Sequence, residues 1–459
     1  MAAPCDDSKF GSGSILSLDA IGKQDTFMTS NVNTDSLFSY AYAQHSNFAM
    51  INRSFIVANP NKDDPSSDWP FNRDIVVTLK PKTMGDLLSN MYIKCELPAL
   101  TAPYQYTNQV GRAIINSISF MVDEIEVERL YSDWFIIHDD LFLSTEEKVA
   151  NKNIVNGGRD DGDNTSTGLI QIYAPLNFFF SRKYMSSSDD VYKRFTPFFP
   201  LCATWHQEIK IIINFNHQNF FSNCFPAKVL KLDKFELITQ EIMLSYQERY
   251  YLQHRKHEIV TEIVKKNPIQ PIKFSQVNEK NFLAPNIQVK AMFWFFRDQI
   301  YEDGTDNRWY LHRYNYSCFE PDVINPVPVE KQGLYPVMSD AKLVLNGHDT
   351  LGFLDTSLRN SIHTANYYKY VQPLQHSLLA PSRNIYTYSF SLNPKDTVPT
   401  GFLNFSIIES SKSFIEVYII NIERLKKDPT RVFNMHLYLL GYQALVFENG
   451  FMGIKYSTS

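Results

Sequence analysis

The sequence predicts an all-β protein built as two consecutive sandwiches, with few and short helices. Three observations carry this prediction. Apolar residues recur at every second position in many separate stretches, helical periodicity is rare, and turn signals divide the stretches. The aromatic content agrees: 34 Phe and 26 Tyr against only 17 Gly suit pleated, half-buried surfaces. Tyr and Phe are also enriched at large interfaces. At 459 residues the chain exceeds one ordinary core, because domains run to about 100–200 residues.

Taken in order, residues 1–25 include Gly11-Ser12-Gly13-Ser14 and read as a flexible arm. In Met91-Tyr92-Ile93-Lys94-Cys95-Glu96-Leu97 the odd positions are apolar, so one face is buried and the other wet. Ile118, Phe120 and Val122 lead through Asp123-Glu124 to Ile125 and Val127, a hairpin. Ser132 is placed to N-cap a short helix through Trp134, Ile137 and Leu141. The polar stretch Asn151 to Gly168 reads as a long exposed loop, as does Tyr301 to Arg308. From Glu208 to Phe215, Ile209, Ile211, Ile213 and Phe215 face one way and Glu208, Lys210 and Asn214 the other. Ile238, Ile242, Leu244 and Tyr246 alternate with polar neighbours, and Gln247 to Arg255 can form a turn or two of helix. Asn346-Gly347 after Leu343-Val344-Leu345 is a strong two-residue turn signal. Tyr386, Tyr388, Phe390 and Leu392 alternate with Thr387, Ser389 and Ser391. These elements divide into a first sandwich over 26–225, a linker over 226–234 and a second sandwich over 235–459. No repeat at residue level links the two halves.

Charge and motifs exclude several function classes. The formal net charge is −5, and the basic clusters Arg255-Lys256-His257 and Lys265-Lys266 are short, which argues against direct nucleic-acid binding. Cys5, Cys95, Cys202, Cys224 and Cys318 are odd in number, with no CxxC, and read as free thiols in a reducing compartment. No signal peptide is visible at Met1 to Asp7 and no run approaches 18 apolar residues, so synthesis and folding in the cytosol are expected. His206-x-Glu208 and His138-Asp139-Asp140 are the metal-like spacings, and neither has a third ligand at recognisable distance. His257-Glu258-Ile259-Val260-Thr261 lacks the second His of a zinc protease motif. No catalytic, metal or cofactor-binding residue is assigned, and no cofactor is implied. Asn52, Asn164, Asn315 and Asn404 lie in Asn-x-Ser/Thr sequons. Asn164 and Asn315 are the candidate glycosylation sites; Asn404 reads as structural.

Several segments together resemble the major capsid proteins of nucleocytoplasmic large DNA viruses, the phycodnavirus, iridovirus and mimivirus group. They include Gln24-Asp25-Thr26-Phe27-Met28-Thr29, His45-Ser46-Asn47-Phe48-Ala49, Gly85-Asp86-Leu87-Leu88, Leu97-Pro98 and Ser132-Asp133-Trp134. Pro175-Leu176-Asn177-Phe178-Phe179-Phe180-Ser181-Arg182 and Pro200-Leu201 follow. The second half is closer still, in Ala341 to Asp349, Tyr368, Gln372-Pro373-Leu374-Gln375-His376 and Ile385 to Phe390. Leu392-Asn393-Pro394, Pro399-Thr400-Gly401 and Asn404-Phe405-Ser406 complete the order. Asp123-Glu124 and Ser30 depart, standing where the family often has glycine.

The resemblance implies two consecutive eight-stranded jelly rolls and a non-enzymatic shell subunit. It implies a homotrimer of pseudo-hexagonal outline tiling an icosahedral capsid, made and assembled in host cytoplasm and present in the virion. Its expected partners are neighbouring capsomers, minor capsid and penton proteins and, indirectly, the inner viral membrane, with no direct nucleic-acid contact. Two other readings stay open on sequence: an assembly scaffold of the same fold, and a carbohydrate-binding or carbohydrate-cleaving β-sandwich.

Overall fold

The computed structural model describes residues 22–23, 35–36, 48–158, 170–182, 197–273, 279–299, 302, 313–314, 316–319, 334–350, 363–396, 399–419 and 431–456. The expected 1–25 arm falls almost wholly outside them.

Eight strands form the first sandwich: β1 (Ala49–Ala58), β2 (Asp74–Leu79), β3 (Leu87–Leu97), β4 (Ile115–Val122), β5 (Ile125–Tyr131), β6 (Ile170–Pro175), β7 (Ile209–Phe215) and β8 (Lys234–Met243). They pair as two four-stranded sheets, in the orders β1-β8-β3-β6 and β2-β7-β4-β5. One sheet thus takes the first, third, sixth and eighth strands and the other the second, fourth, fifth and seventh, the winding of a jelly roll. The reason is visible in β7, where Ile209, Ile211, Ile213 and Phe215 are buried and Lys210, Ile212 and Asn214 only half so.

The second sandwich repeats the winding. Its strands are β9 (His257–Lys266), β10 (Gln270–Lys273), β11 (Glu279–Phe282), β12 (Gln288–Asp298), β13 (Met338–Leu345), β14 (His348–Asp349), β15 (Tyr386–Ser389), β16 (Leu403–Asn404), β17 (Phe414–Ile419), β18 (Val432–Glu448) and β19 (Phe451–Ile454). One sheet runs β9-β18-β12-β15, with β10 and β19 also on β18 and β16 on β12. The other runs β11-β17-β13-β14. With short extensions set aside, both halves read first-eighth-third-sixth and second-seventh-fourth-fifth. The fold is a double jelly roll.

Four expectations need correction. The strand Lys234–Met243 pairs with β1 and β3, so the linker expected over 226–234 instead leads into the first sandwich's last strand. The chain passes to the second sandwich after Met243, over helix α3 (Tyr246–His254). Ser132 does not cap helix α1 (Ser132–Leu141): Tyr131 is the cap residue, and the Ser132 hydroxyl bonds the Arg112 carbonyl and the Tyr314 hydroxyl. The loop expected from Asn151 begins later, because helix α2 (Thr145–Val155) continues to Val155 behind a capping box of Ser144 and Glu147. The alternation expected through Leu392 stops at Ser389, and Leu392 is exposed.

The turn signals land where the spacing puts them. Asn346 and Gly347 both have positive φ and join β13 to β14, and Asp123, also at positive φ, turns β4 into β5.

Candidate functional site: the seam between the sandwiches

The most elaborate chemistry in the described residues lies where one sandwich meets the other. Sheet β9-β18-β12-β15 is buried on both faces. Met292, Trp294, Phe296, Leu437 and Leu439 fill the second sandwich's own core. Ala291, Phe293, Phe295, Tyr438 and Leu440 join the core of the first. Onto this outer face α1 lays Trp134, 5.8 Å from the Phe293 ring and 6.3 Å from the Tyr438 ring, and Phe142 follows at 5.8 Å from Phe293. Phe199 meets Phe447 at 5.7 Å farther along.

Charges are buried among these rings in ion-paired clusters. Arg182 bonds Glu128 and lies 3.6 Å from Glu262, which in turn holds Lys290. Glu128 and Arg182 belong to the first sandwich, Glu262 and Lys290 to the second. Burial pushes the Glu128 carboxyl up and the Lys290 ammonium down, each against the pull of its partner. A second cluster joins Arg297 to Asp133 and Glu302, with Tyr316 donating to Asp133 at 2.9 Å and His436 2.5 Å from Glu302. Burial alone would raise Glu302, but Arg297, His436 and Lys266 pull harder and hold it at about 2.

His138-Asp139-Asp140 falls at this seam and serves as a tie. Asp139 receives Arg112 at 3.2 Å and Asn151 at 2.7 Å. Burial raises the Asp139 carboxyl, and Arg112, His138 and Asn151 more than reverse it. Asp140 accepts from the Ser382 hydroxyl at 2.8 Å and from the backbone N–H groups of Ser382 and Arg383, across the seam. His138 sits against Asn177 at 3.2 Å, and burial lowers its pKa. The pair His206-x-Glu208 separates: His206 stacks on Phe451 at 5.2 Å while Glu208 faces solvent. Among the described residues no three His, Cys, Asp or Glu side chains gather as metal ligands. No helix of the described residues is long and apolar enough to cross a membrane.

Asn164 and Asn315 lie outside the described residues. Asn52 is exposed on β1, and Asn404 is buried, its side chain accepting from the Ser406 N–H at 3.0 Å. Cys95, Cys202 and Cys224 are free and buried, and burial pushes Cys95 and Cys202 up to about 12. Cys5 and the Cys318 side chain are outside the described set.

Paired, water-excluded charges are costly to break and fix relative geometry, so the two sandwiches act as one rigid block. Sequence reasoning missed Arg182, Glu128, Glu262, Lys290, Arg297 and Glu302. The signal that was present is the unalternating apolar run Ala291 to Phe296, which marks a strand covered on both faces.

A rigid pair of like-wound sandwiches is also what comparison with known proteins returns. The model of the large eukaryotic DNA virus major capsid protein matches residues 248–453, and that of the major capsid protein N-terminus matches 36–242. The chain belongs to this capsid protein family. Its two matched segments meet between residues 242 and 248, where α3 joins the sandwiches. The chain is similar to the major capsid protein of Pyramimonas orientalis virus, 23% identical over 97% of this chain and 99% of that one. It is also similar to that of Phaeocystis pouchetii virus, 22% identical over the same shares. In three dimensions it is like the VP54 protein of PBCV-1, with a TM-score of 0.68, 18% identity, and coverage of 92% of this chain and all of that one. The chain is thus a structural component of the virion capsid.

Proposed function

We propose that three copies of this chain associate into a pseudo-hexagonal capsomer that tiles the icosahedral shell of a large double-stranded DNA virus. The observation that carries the reading is the repeated strand order in two sandwiches locked by a buried seam. Each rigid copy then offers two similar corners, and three copies offer six. Six similar corners make a shape that fills a flat lattice. A solved PBCV-1 capsid assembly contains a protein of this fold, with a TM-score of 0.67 and 19% identity, which supports lattice formation here.

In this reading the protein has no catalytic role. It is made and assembled in host cytoplasm, and its partners are its own copies, neighbouring capsomers, minor capsid and penton proteins and, indirectly, an inner membrane. Sedimentation of the purified chain tests the trimer, and negative-stain micrographs test its six-cornered outline. A stable monomer at micromolar concentration overturns the reading. Mass spectrometry of virion peptides containing Asn164 and Asn315 tests whether either sequon carries a glycan.

A further inference from the structure

We propose that the turn Asn449-Gly450 is a site of spontaneous succinimide chemistry. There Asn449 converts to aspartate and isoaspartate with loss of ammonia, and the hairpin it closes lets go of the first sandwich. The chemistry needs an asparagine side-chain amide, the backbone nitrogen of the next residue, and water. It is fastest where that next residue is glycine, which has no Cβ to crowd the attack and a backbone free to bend. The chain holds three Asn-Gly pairs, at 156–157, 346–347 and 449–450, and the fold treats them differently.

Asn156 is buried at the end of α2, and Gly157 sits so close to β6 that a Cβ there would strike Ile170. Neither residue can swing without disturbing that packing. Asn346 is half-buried, and its turn is tied down. The Gly347 N–H donates to the Lys412 carbonyl at 2.9 Å, and the Asn346 N–H to the Ser413 hydroxyl at 3.0 Å. The nitrogen that would attack is thus held by its own hydrogen bond. Asn449 is exposed, and among the described residues no acceptor takes the Gly450 N–H. The turn is the tip of a hairpin whose second strand, β19, is only 4 residues long, so it opens more readily than pairs deep in a sheet. Asn449 and Gly450 both stand at positive φ, 54° and 83°, and opening frees the side chain to reach the glycine nitrogen.

The Gly450 nitrogen attacks the Asn449 Cγ as its proton passes to solvent. The N–Cγ bond forms, the Cγ–Nδ2 bond breaks, and the amide nitrogen leaves as ammonia with a proton returned by solvent. Water then opens the ring at either carbonyl, leaving aspartate or isoaspartate, and nothing is oxidised or reduced. Isoaspartate puts an extra carbon into the main chain and a carboxylate beside Glu448. A two-residue turn that pairs Glu448 with Phe451 has no room for the longer chain. The turn is also a clasp between the sandwiches. The Gly450 carbonyl accepts from the His206 N–H at 3.2 Å. The Gln207 side chain exchanges hydrogen bonds of 2.5 and 3.3 Å with the Met452 backbone, and Phe451 stacks on His206. Trp205 lies so close to Gly450 that a Cβ there would strike its ring nitrogen. A longer turn undoes these contacts together, while the buried ion-pair clusters of the seam stay shut.

The test ages the purified full chain in warm, mildly alkaline buffer and maps its peptides by mass spectrometry. Electron-transfer fragmentation separates isoaspartate from aspartate. In the folded chain Asn449 should convert at least about tenfold faster than Asn346 or Asn156, since those two need the larger opening. In urea the three rates should converge, because the fold is what separates them. Equal rates in the folded chain, or a faster Asn346 or Asn156, overturn the site, and rates that stay apart in urea overturn the structural reason given for it. The variant Asn449→Gly keeps a turn that accepts positive φ and removes the amide. Fresh samples of the two proteins should match in hydrogen exchange at 206–207 and 451–454, and aged wild type should then exchange faster there than the aged variant. Converted chain whose exchange is unchanged at those positions overturns the release of the clasp.

Discussion

The sheets β1-β8-β3-β6 and β9-β18-β12-β15 share a strand order and differ in what covers them. The first is buried on one face; the second is buried on both, with every residue of β12 inside. Side-chain chemistry follows the cover and not the winding. Strand β3 alternates buried positions with half-buried or exposed ones from Asn90 to Leu97. Strand β12 runs Ala-Met-Phe-Trp-Phe-Phe without a break from Ala291. The same topological place thus carries two different sequence patterns, because a strand with two buried faces has no wet side to alternate with.

The comparison can be broken most sharply at its charges. Glu262→Leu should lower stability by about 3–5 kcal/mol, since it leaves Lys290 and Arg182 buried beside an apolar group. Adding Lys290→Met should recover much of the loss, and urea titration of the single and double variants measures both. The counterpart pair on the one-sided sheet, Lys94–Glu236, is partly exposed, and its replacement by Met and Leu should change stability by about 1 kcal/mol or less. Equal losses at the two pairs would remove the distinction between the sheets.

Apolar positions should divide the same way. Phe293→Ala should cost about 3–5 kcal/mol, because the ring is fully buried against Trp134 and Phe142. Tyr92→Ala on the one-sided face should cost about 1 kcal/mol in the isolated chain, read from the same titration.

Acid offers a third contrast. Glu302 is held at about 2, below its unfolded value, so the stability it contributes is complete above pH about 4.5 and is lost as pH falls towards 2. The loss should be about 2–3 kcal/mol and absent in Glu302→Gln. Denaturant midpoints at pH 6, 4 and 3 test this. Glu128 acts oppositely, since its raised carboxyl takes up a proton in the fold more readily than in the open chain. A wild-type midpoint independent of pH over that range would mean that Glu302 is not so held. The smallest effect is local: Ser144→Ala should loosen α2 by about 1 kcal/mol, seen as faster hydrogen exchange at its first turn, with the seam unaffected.

Much of the fold is legible wherever one face of a strand meets water. The alternation of Ile209 to Phe215, the Asn346-Gly347 turn and the Asp123-Glu124 hairpin each reflect a local rule, and each lies where the rule puts it. The capping box of Ser144 and Glu147 is equally local, and it explains why helix replaces the first part of the loop expected from Asn151. The division between sandwiches is less legible. The Pro226 region looks like a linker, whereas only pairing at long range puts Lys234–Met243 beside β1. The seam is least legible of all. Arg182 meets Glu128 across 54 positions and Arg297 meets Asp133 across 164, so no spacing pattern connects them. A lone Arg and a lone Glu look like solvated surface until the fold brings them together.

Strand β18 belongs to both hydrophobic cores, giving Leu437 and Leu439 to one and Tyr438 and Leu440 to the other. On the ribosome this makes the order of events asymmetric. The first sandwich has all eight strands once Met243 has emerged and can close its own core. Strands β9 and β12 must wait for Val432–Glu448, the strand that lies between them. Through that interval the sheet face that Trp134 and Phe142 cover is unfinished, and Glu262 and Lys290 lie in that same unfinished sheet. Pairing at such long sequence range is slow and exposes apolar surface meanwhile. The nascent chain is thus a natural client for a chaperone until its last long strand is made.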